Sequence, residues 1–194
     1  MNKQYLLIKS TLLKKSIASA ILISSVIVIS ILFSSYTGSI YTVTDDYSIN
    51  FSATRAEGSF SELKGFVNFS EDLSNSEMNV SVEVNTIKTG NRTKDKHARS
   101  SKWLNAEEYP RISFISNKLT SIESGYQVTG DLTIKETTIE TDINFTSQDI
   151  DGINYLIGNT IISREGFQIM GNRFAFLVGN EINIDIKVPS NYNN

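Results

Sequence analysis

His97 is the only imidazole in 194 residues, and Cys is absent. These two counts confine the chemistry open to the chain. Thiolate nucleophiles, disulfides, Cys-based zinc or iron–sulfur sites and acylation on Cys are all excluded. A hydrolase built on His97 would need a carboxylate to orient the ring and a nucleophile to be activated by it. Asp95, Ser100 and Ser101 stand close by in sequence. There is no Gly-x-Ser-x-Gly elbow, however, and crowding along one charged segment is not triad geometry. An enzyme working on a lipidic substrate through His97 is therefore the weakest reading.

Metal and carboxylate chemistry find little more. No second His stands at helical spacing from His97, so a zinc site lacks its usual pair of imidazoles. Asp149-Ile150-Asp151-Gly152 has the opening of a calcium loop without its later ligands or distal Glu, and a plain turn accounts for it. The acidic pairs Asp45-Asp46, Glu71-Asp72 and Glu107-Glu108 are sequence neighbours in polar stretches, not carboxylates set across a cleft as glycoside hydrolysis requires. One local excess remains. Lys88, Arg92, Lys94, Lys96, Arg99 and Lys102 crowd into fifteen residues. They read as a solvated face or as a positive rim that receives an anionic head group.

The elements that must position these residues divide the chain in two. Residues 1–40 contain Lys3, Lys9, Lys14 and Lys15 and no acidic residue. An uncharged run extends from 17 to 33, rich in Ile, Leu and Val. This is the layout of a cleaved signal peptide or of a retained N-terminal membrane anchor. Either one exports the rest of the chain to the periplasm or cell envelope, and an anchor would hold the four Lys in the cytoplasm. Of 18 basic residues four lie in this leader, whereas all 21 acidic ones come after position 44. The exported part therefore carries about −7, which argues against a nucleic-acid partner.

Beyond residue 40 the pattern is one of strands. Met78, Val80, Val82 and Val84 alternate with polar residues, as do Ile182, Ile184, Ile186 and Val188, and Ile139, Ile143 and Phe145. A period of two places one face in a core and the other in water. Noisier candidates fall at 47–54, 59–69, 112–119, 126–134, 155–162 and 174–177. Only one stretch, a short helix expected near 94–108, reads helically, with Pro110 as its stop. Short strands joined by polar turns predict an antiparallel sandwich or barrel. The apolar face is rich in aromatic residues, among them Phe69, Tyr126, Tyr155, Phe167, Phe174 and Phe176. Periodicity alone does not distinguish a packed interior from one that encloses a ligand.

A set of segments in order carries a resemblance. Asp95-Lys96-His97-Ala98-Arg99-Ser100 leads to Tyr109-Pro110-Arg111-Ile112-Ser113-Phe114. Val128-Thr129-Gly130-Asp131-Leu132-Thr133-Ile134 comes next, and then Ile162-Ser163-Arg164-Glu165-Gly166-Phe167. In these the chain resembles the YceI-like family, the polyisoprenoid-binding, lipocalin-like exported proteins. Ala98 stands where Leu is usual, Glu136 where Gly is usual, and Gly166-Phe167 inverts the family's late step.

The resemblance implies an all-β, antiparallel, lipocalin-like barrel of about eight strands over residues 41–190, with a polar tail at 191–194. It also implies a non-enzymatic role: holding an isoprenoid lipid or quinone as bound ligand, with no other cofactor. On that reading Phe51, Phe60, Phe66, Val82, Phe114, Leu132, Phe145 and Ile184 line the tunnel. His97, Arg99 and Arg164 stand near its mouth or brace the loop that closes it. A structural or adhesive envelope protein with a filled barrel is the alternative. A second copy of the chain, and a membrane reached through an uncleaved leader, stay open as partners.

Overall fold

The computed structural model describes residues 46–70, 72–173 and 175–189. The expected leader and polar tail lie outside this set. Within it, nine antiparallel strands make one sheet: β1 (Ser48–Ala53), β2 (Ala56–Phe60), β3 (Lys64–Asn68), β4 (Glu77–Glu83), β5 (Arg111–Ile122), β6 (Gly125–Ile134), β7 (Thr137–Ile150), β8 (Ile153–Ser163) and β9 (Glu181–Pro189). Their order is β2-β1-β9-β8-β7-β6-β5-β4-β3. The central run from β4 to β9 thus pairs nearest neighbours in sequence, and the first hairpin joins the sheet beside the last strand. The sheet curls into a half-barrel. Its two edge strands are brought together through the connection after β4, where Ser59 and Lys88 exchange backbone hydrogen bonds of 2.9 Å. Thr86 Oγ1 adds to this seam by accepting from Ser61 N at 3.1 Å and donating to Ser61 O at 2.8 Å.

The alternating rows behave as expected. In β9, Glu181, Asn183 and Asp185 are exposed, while Ile182, Ile184, Ile186 and Val188 turn inward. Nine strands stand where about eight were expected, and two differences in detail accompany that count. The stretch 59–69 is two strands rather than one. Glu62 takes a left-handed φ of 60° and Gly65 a φ of 123°, so the chain leaves β2 at one sheet edge and begins β3 at the other. The stretch at 174–177 contains a 3₁₀ turn, Ala175–Leu177, closed by Val178 N donating to Ala175 O.

The single α-helix among the described residues, α1, is also shorter than expected: Arg92–Arg99 rather than 94–108. Asn91 caps its start, the side-chain oxygen accepting from Thr93 N and Lys94 N. At its end Ser100 adopts extended backbone, and its hydroxyl donates to His97 O at 2.7 Å. From there the chain turns, with Asn105 at a φ of 49° and its N–H bonded back to Ser100 O. Residues 100–109 are therefore tight turns, in which Trp103 and Leu104 face the barrel. Among the described residues no helix is long and apolar enough to cross a membrane.

Candidate functional site: an apolar cavity with a basic mouth

The barrel is filled at one end and hollow toward the other. At the end that carries the β5–β6 and β7–β8 hairpins, Leu119, Val128, Leu156 and Phe69 are buried and Tyr126 packs against them. The Phe69 and Tyr126 rings meet edge to face at 4.7 Å, within the range favoured by aromatic quadrupoles. None of these five side chains lines the cavity. A second apolar cluster joins Ile134, Ile162, Phe167 and Ile169 to Trp103 and Leu104, beneath the turns after α1. Between the two clusters lies a cavity of about 560 Å³, inside the range of ~300–1,000 Å³ typical of small-molecule sites.

The hollow explains a burial pattern that would otherwise look like poor packing. Leu132, Ile182, Ile184 and Ile186 point inward yet are only half-buried. They face open volume, not one another.

Glycines set the wall against which the aromatic rings lie. Phe145 is paired across the ladder with Gly158, and Phe51 with Gly58. A Cβ on Gly158 would sit 3.0 Å from Phe145 Cζ and nearer still to Cδ1 and Cε1. The absent side chain thus lets the ring lie close against β8.

Of the expected tunnel residues, Phe51, Phe60 and Val82 line the cavity, as do Phe114, Leu132, Phe145 and Ile184. Phe66 does not. It pairs with Asn79 on the outer side of β3, and its neighbour Val67, paired with Met78, takes the inward position. Of the expected mouth residues, His97 and Arg164 line the cavity and Arg99 does not. Arg99 instead ties α1 to the turn after β4, its Nη1 donating to Asn85 O at 3.0 Å. Arg164 is both lining and brace. Only 4% exposed, it donates from Nε to Gly179 O at 2.8 Å, from Nη1 to Ile169 O, and from Nη2 to Glu165 Oε1 at 3.1 Å. One side chain so fixes both ends of the long β8–β9 connection.

Arg55 and Lys94 also reach the cavity; Lys94 belongs to the basic run read above as a positive rim, whereas nothing in the spacing along the sequence singles out Arg55. Among the described residues the ionisable lining groups are Arg55, Lys94, His97 and Arg164, all basic types, with no carboxylate.

The neighbouring carboxylates are held away from this lining. Asp95 is buried and accepts from Thr89 Oγ1 at 2.6 Å and from Thr89 N at 2.7 Å. Those two bonds hold its carboxyl below the usual range, helped by the charges of Arg99 and Lys88. Asp95 is thus a clamp on the segment leading into α1 and does not orient His97. The His97 ring makes no side-chain hydrogen bond among the described residues. Tyr109, in the Tyr-Pro step before β5, is pushed up to about 12 by hydrogen bonding to Glu136, by desolvation and by Glu108. That pairing gives a use to Glu136.

A curled antiparallel sheet around an apolar hollow, closed by a short helix and a long loop, defines the lipocalin-like class of barrels. The YceI-like domain model matches residues 41–189, and the chain belongs to that family. Curated relatives agree. The UPF0312 protein of Yersinia enterocolitica is 31% identical over 120 residues, 59% of this chain and 58% of the relative. That of Pectobacterium carotovorum is 33% identical over 82 residues, 42% of this chain and 43% of the relative. The chain thus spans less than two thirds of the length of these relatives.

Solved structures share the fold at low identity. BcnA of Burkholderia cenocepacia superposes with a TM-score of 0.66 at 19% identity, covering 74% of this chain and 96% of that one. A polyisoprenoid binding domain from Saccharophagus degradans, implicated in plant cell wall breakdown, gives 0.56 at 11% identity, covering 77% and 96%.

Proposed function

We propose that this protein is an exported, non-enzymatic carrier that holds a long apolar ligand, an isoprenoid lipid or quinone, inside the barrel. The observation that carries the reading is the cavity. It is a hollow of about 560 Å³ walled by aliphatic and aromatic side chains from β1, β4, β5, β6, β7, β8 and β9. A filled structural barrel would have buried its β9 row, whereas Ile182, Ile184 and Ile186 face open volume. Burial of a prenyl tail gains about 0.8 kcal/mol per methylene-sized group, so each five-carbon unit contributes ~4 kcal/mol before the costs of association. No catalytic group is needed to hold such a molecule. Among the described residues no carboxylate is bonded to His97, and Asp95 is engaged by Thr89, which leaves the hydrolytic reading without its second member. The export address rests on the leader, with its four Lys and uncharged run.

Native purification with solvent extraction and mass spectrometry tests the proposal. The expected result is a prenyl or quinone species at close to one per chain. Repeated absence of any such species, together with failure to take up added quinone, would refute it.

A further inference from the structure

The end of the barrel that opens onto the cavity has a surface unlike the rest of the molecule. The 3₁₀ turn Ala175–Leu177 presents Phe176 at 71% exposure, and Met170 in the same connection is 63% exposed. Leu177, 37% exposed, also reaches the cavity lining. Single exposed apolar side chains are ordinary, as at Ile115 and Ile161, but several in one connection beside a cavity mark an interaction site.

Hydrogen bonds gather this loop with the other mouth segments. Gly171 N donates to Lys102 O, and Thr54 N, in the β1–β2 turn, donates to Val178 O. The surrounding charge is mainly positive, Glu165 being paired with Arg164 and Glu107 and Glu108 following the basic segment. Residues 88–106 carry Lys88, Arg92, Lys94, Lys96, Arg99 and Lys102 against one carboxylate, Asp95, which is buried and held by Thr89. Arg55 adds a charge from the β1–β2 turn, and residues 166–180 contain no carboxylate at all. In a chain with 21 acidic residues and a net charge of −3, this separation is specific to one end. Glu136, in the β6–β7 turn, is engaged by Tyr109.

We infer that this mouth end docks on an anionic lipid surface, with Phe176, Met170 and Leu177 entering the interface and the basic ring meeting the head groups. An apolar wedge flanked by Lys and Arg is the physical pattern of peripheral membrane attachment. The cavity opens among the same residues, so an insoluble tail passes between bilayer and barrel without crossing water. The inference rests on the carrier reading for its purpose and on the mouth surface for its geometry.

The absence of Cys permits a direct test in the full-length chain. An environment-sensitive dye is placed at Phe176→Cys and, as a control at the filled end of the barrel, at Ile153→Cys. The run at 17–33 would itself take the chain to any vesicle, so the readout is local insertion and not bulk binding. On equimolar phosphatidylglycerol and phosphatidylcholine, the dye at 176 is expected to shift to the blue and to be shielded from acrylamide. On phosphatidylcholine alone it stays wet, and the dye at 153 stays wet on both. Lys96→Gln and Lys102→Gln each lower the docked-to-undocked ratio about fivefold, from the worth of one cation near an anionic surface, and high salt does the same.

A wet dye at 176 on anionic vesicles, equal burial on the neutral ones, or an equal response at 153 would overturn the inference. Extractable lipid together with a wet position 176 sinks docking and leaves the carrier standing. Docking without any extractable or acceptable lipid does the reverse.

Discussion

Gly158→Ala places one methyl group where Phe145 now lies. The added Cβ would stand 3.0 Å from Cζ, with Cδ1 and Cε1 nearer, against an ordinary carbon–carbon separation of ~3.5–4.0 Å. The three nearest atoms all belong to this one ring, so the ring is the first thing that must give way. The ring must move by about 1 Å, and the open volume it faces lets it swing away from β8 and into the cavity. Overpacking of this kind costs ~1–3 kcal/mol. For a domain of this size that lowers Tm by roughly 3–10 °C. The displaced ring also takes ligand space, so quinone uptake falls along with Tm.

The assay is a double-mutant cycle with Phe145→Leu, read by thermal unfolding and by titration with a quinone. If the ring is the sole obstruction, the two substitutions are coupled by at least ~1 kcal/mol, and the double variant regains uptake that Gly158→Ala loses. Additivity within about 0.5 kcal/mol, or unchanged uptake in Gly158→Ala, would refute both the clash and the claim that Phe145 borders the ligand space.

The mouth yields further expected outcomes. Arg164→Met leaves the carbonyls of Ile169 and Gly179 without their donor, and is expected to cost ~2–4 kcal/mol by chemical denaturation. Arg164→Lys recovers less than half of that, because one ammonium cannot span three acceptors. Asn91→Ala removes the α1 cap and should lower stability by ~1 kcal/mol, with faster amide exchange at Thr93 and Lys94 as the local sign. Asp95 has a depressed folded pKa. Its contribution is complete above the unfolded Asp value of ~3.9 and is lost as pH falls through the lower folded value. The stability gap between the wild type and Asp95→Asn should therefore narrow on acidification, and a gap unchanged down to about pH 2 would contradict the assignment.

The rows of β4, β7 and β9 were legible because their apolar and polar residues alternate almost without error, and Tyr109-Pro110 marked the entry to β5. Phe66 was misplaced because size outweighed phase. In the Lys-Gly-Phe-Val-Asn run of β3 the inward residue is Val67, and only the pairing with Met78 reveals it. Phe176 resembled core in composition but lies exposed in a turn. Arg55 could not be placed from spacing, since the β1–β2 turn reaches the mouth only through the pairing of β1 with β9. Nor does alternation say whether an inward row meets other side chains or empty space. That depends on the curl of the whole sheet, which no local window contains.

The neighbourhood of β1 and β9 sets an order of events. Strands from β4 through β9 can zip together hairpin by hairpin, most of them closing a short loop, but Ile49 finds Ile186 only after nearly the entire domain has emerged. Such a distant pairing is entropically expensive and slow. A chain synthesised from its N-terminus must therefore wait, with its apolar rows uncovered, until its final strand arrives. During that interval the unpaired edges of the growing sheet are open to association with other chains.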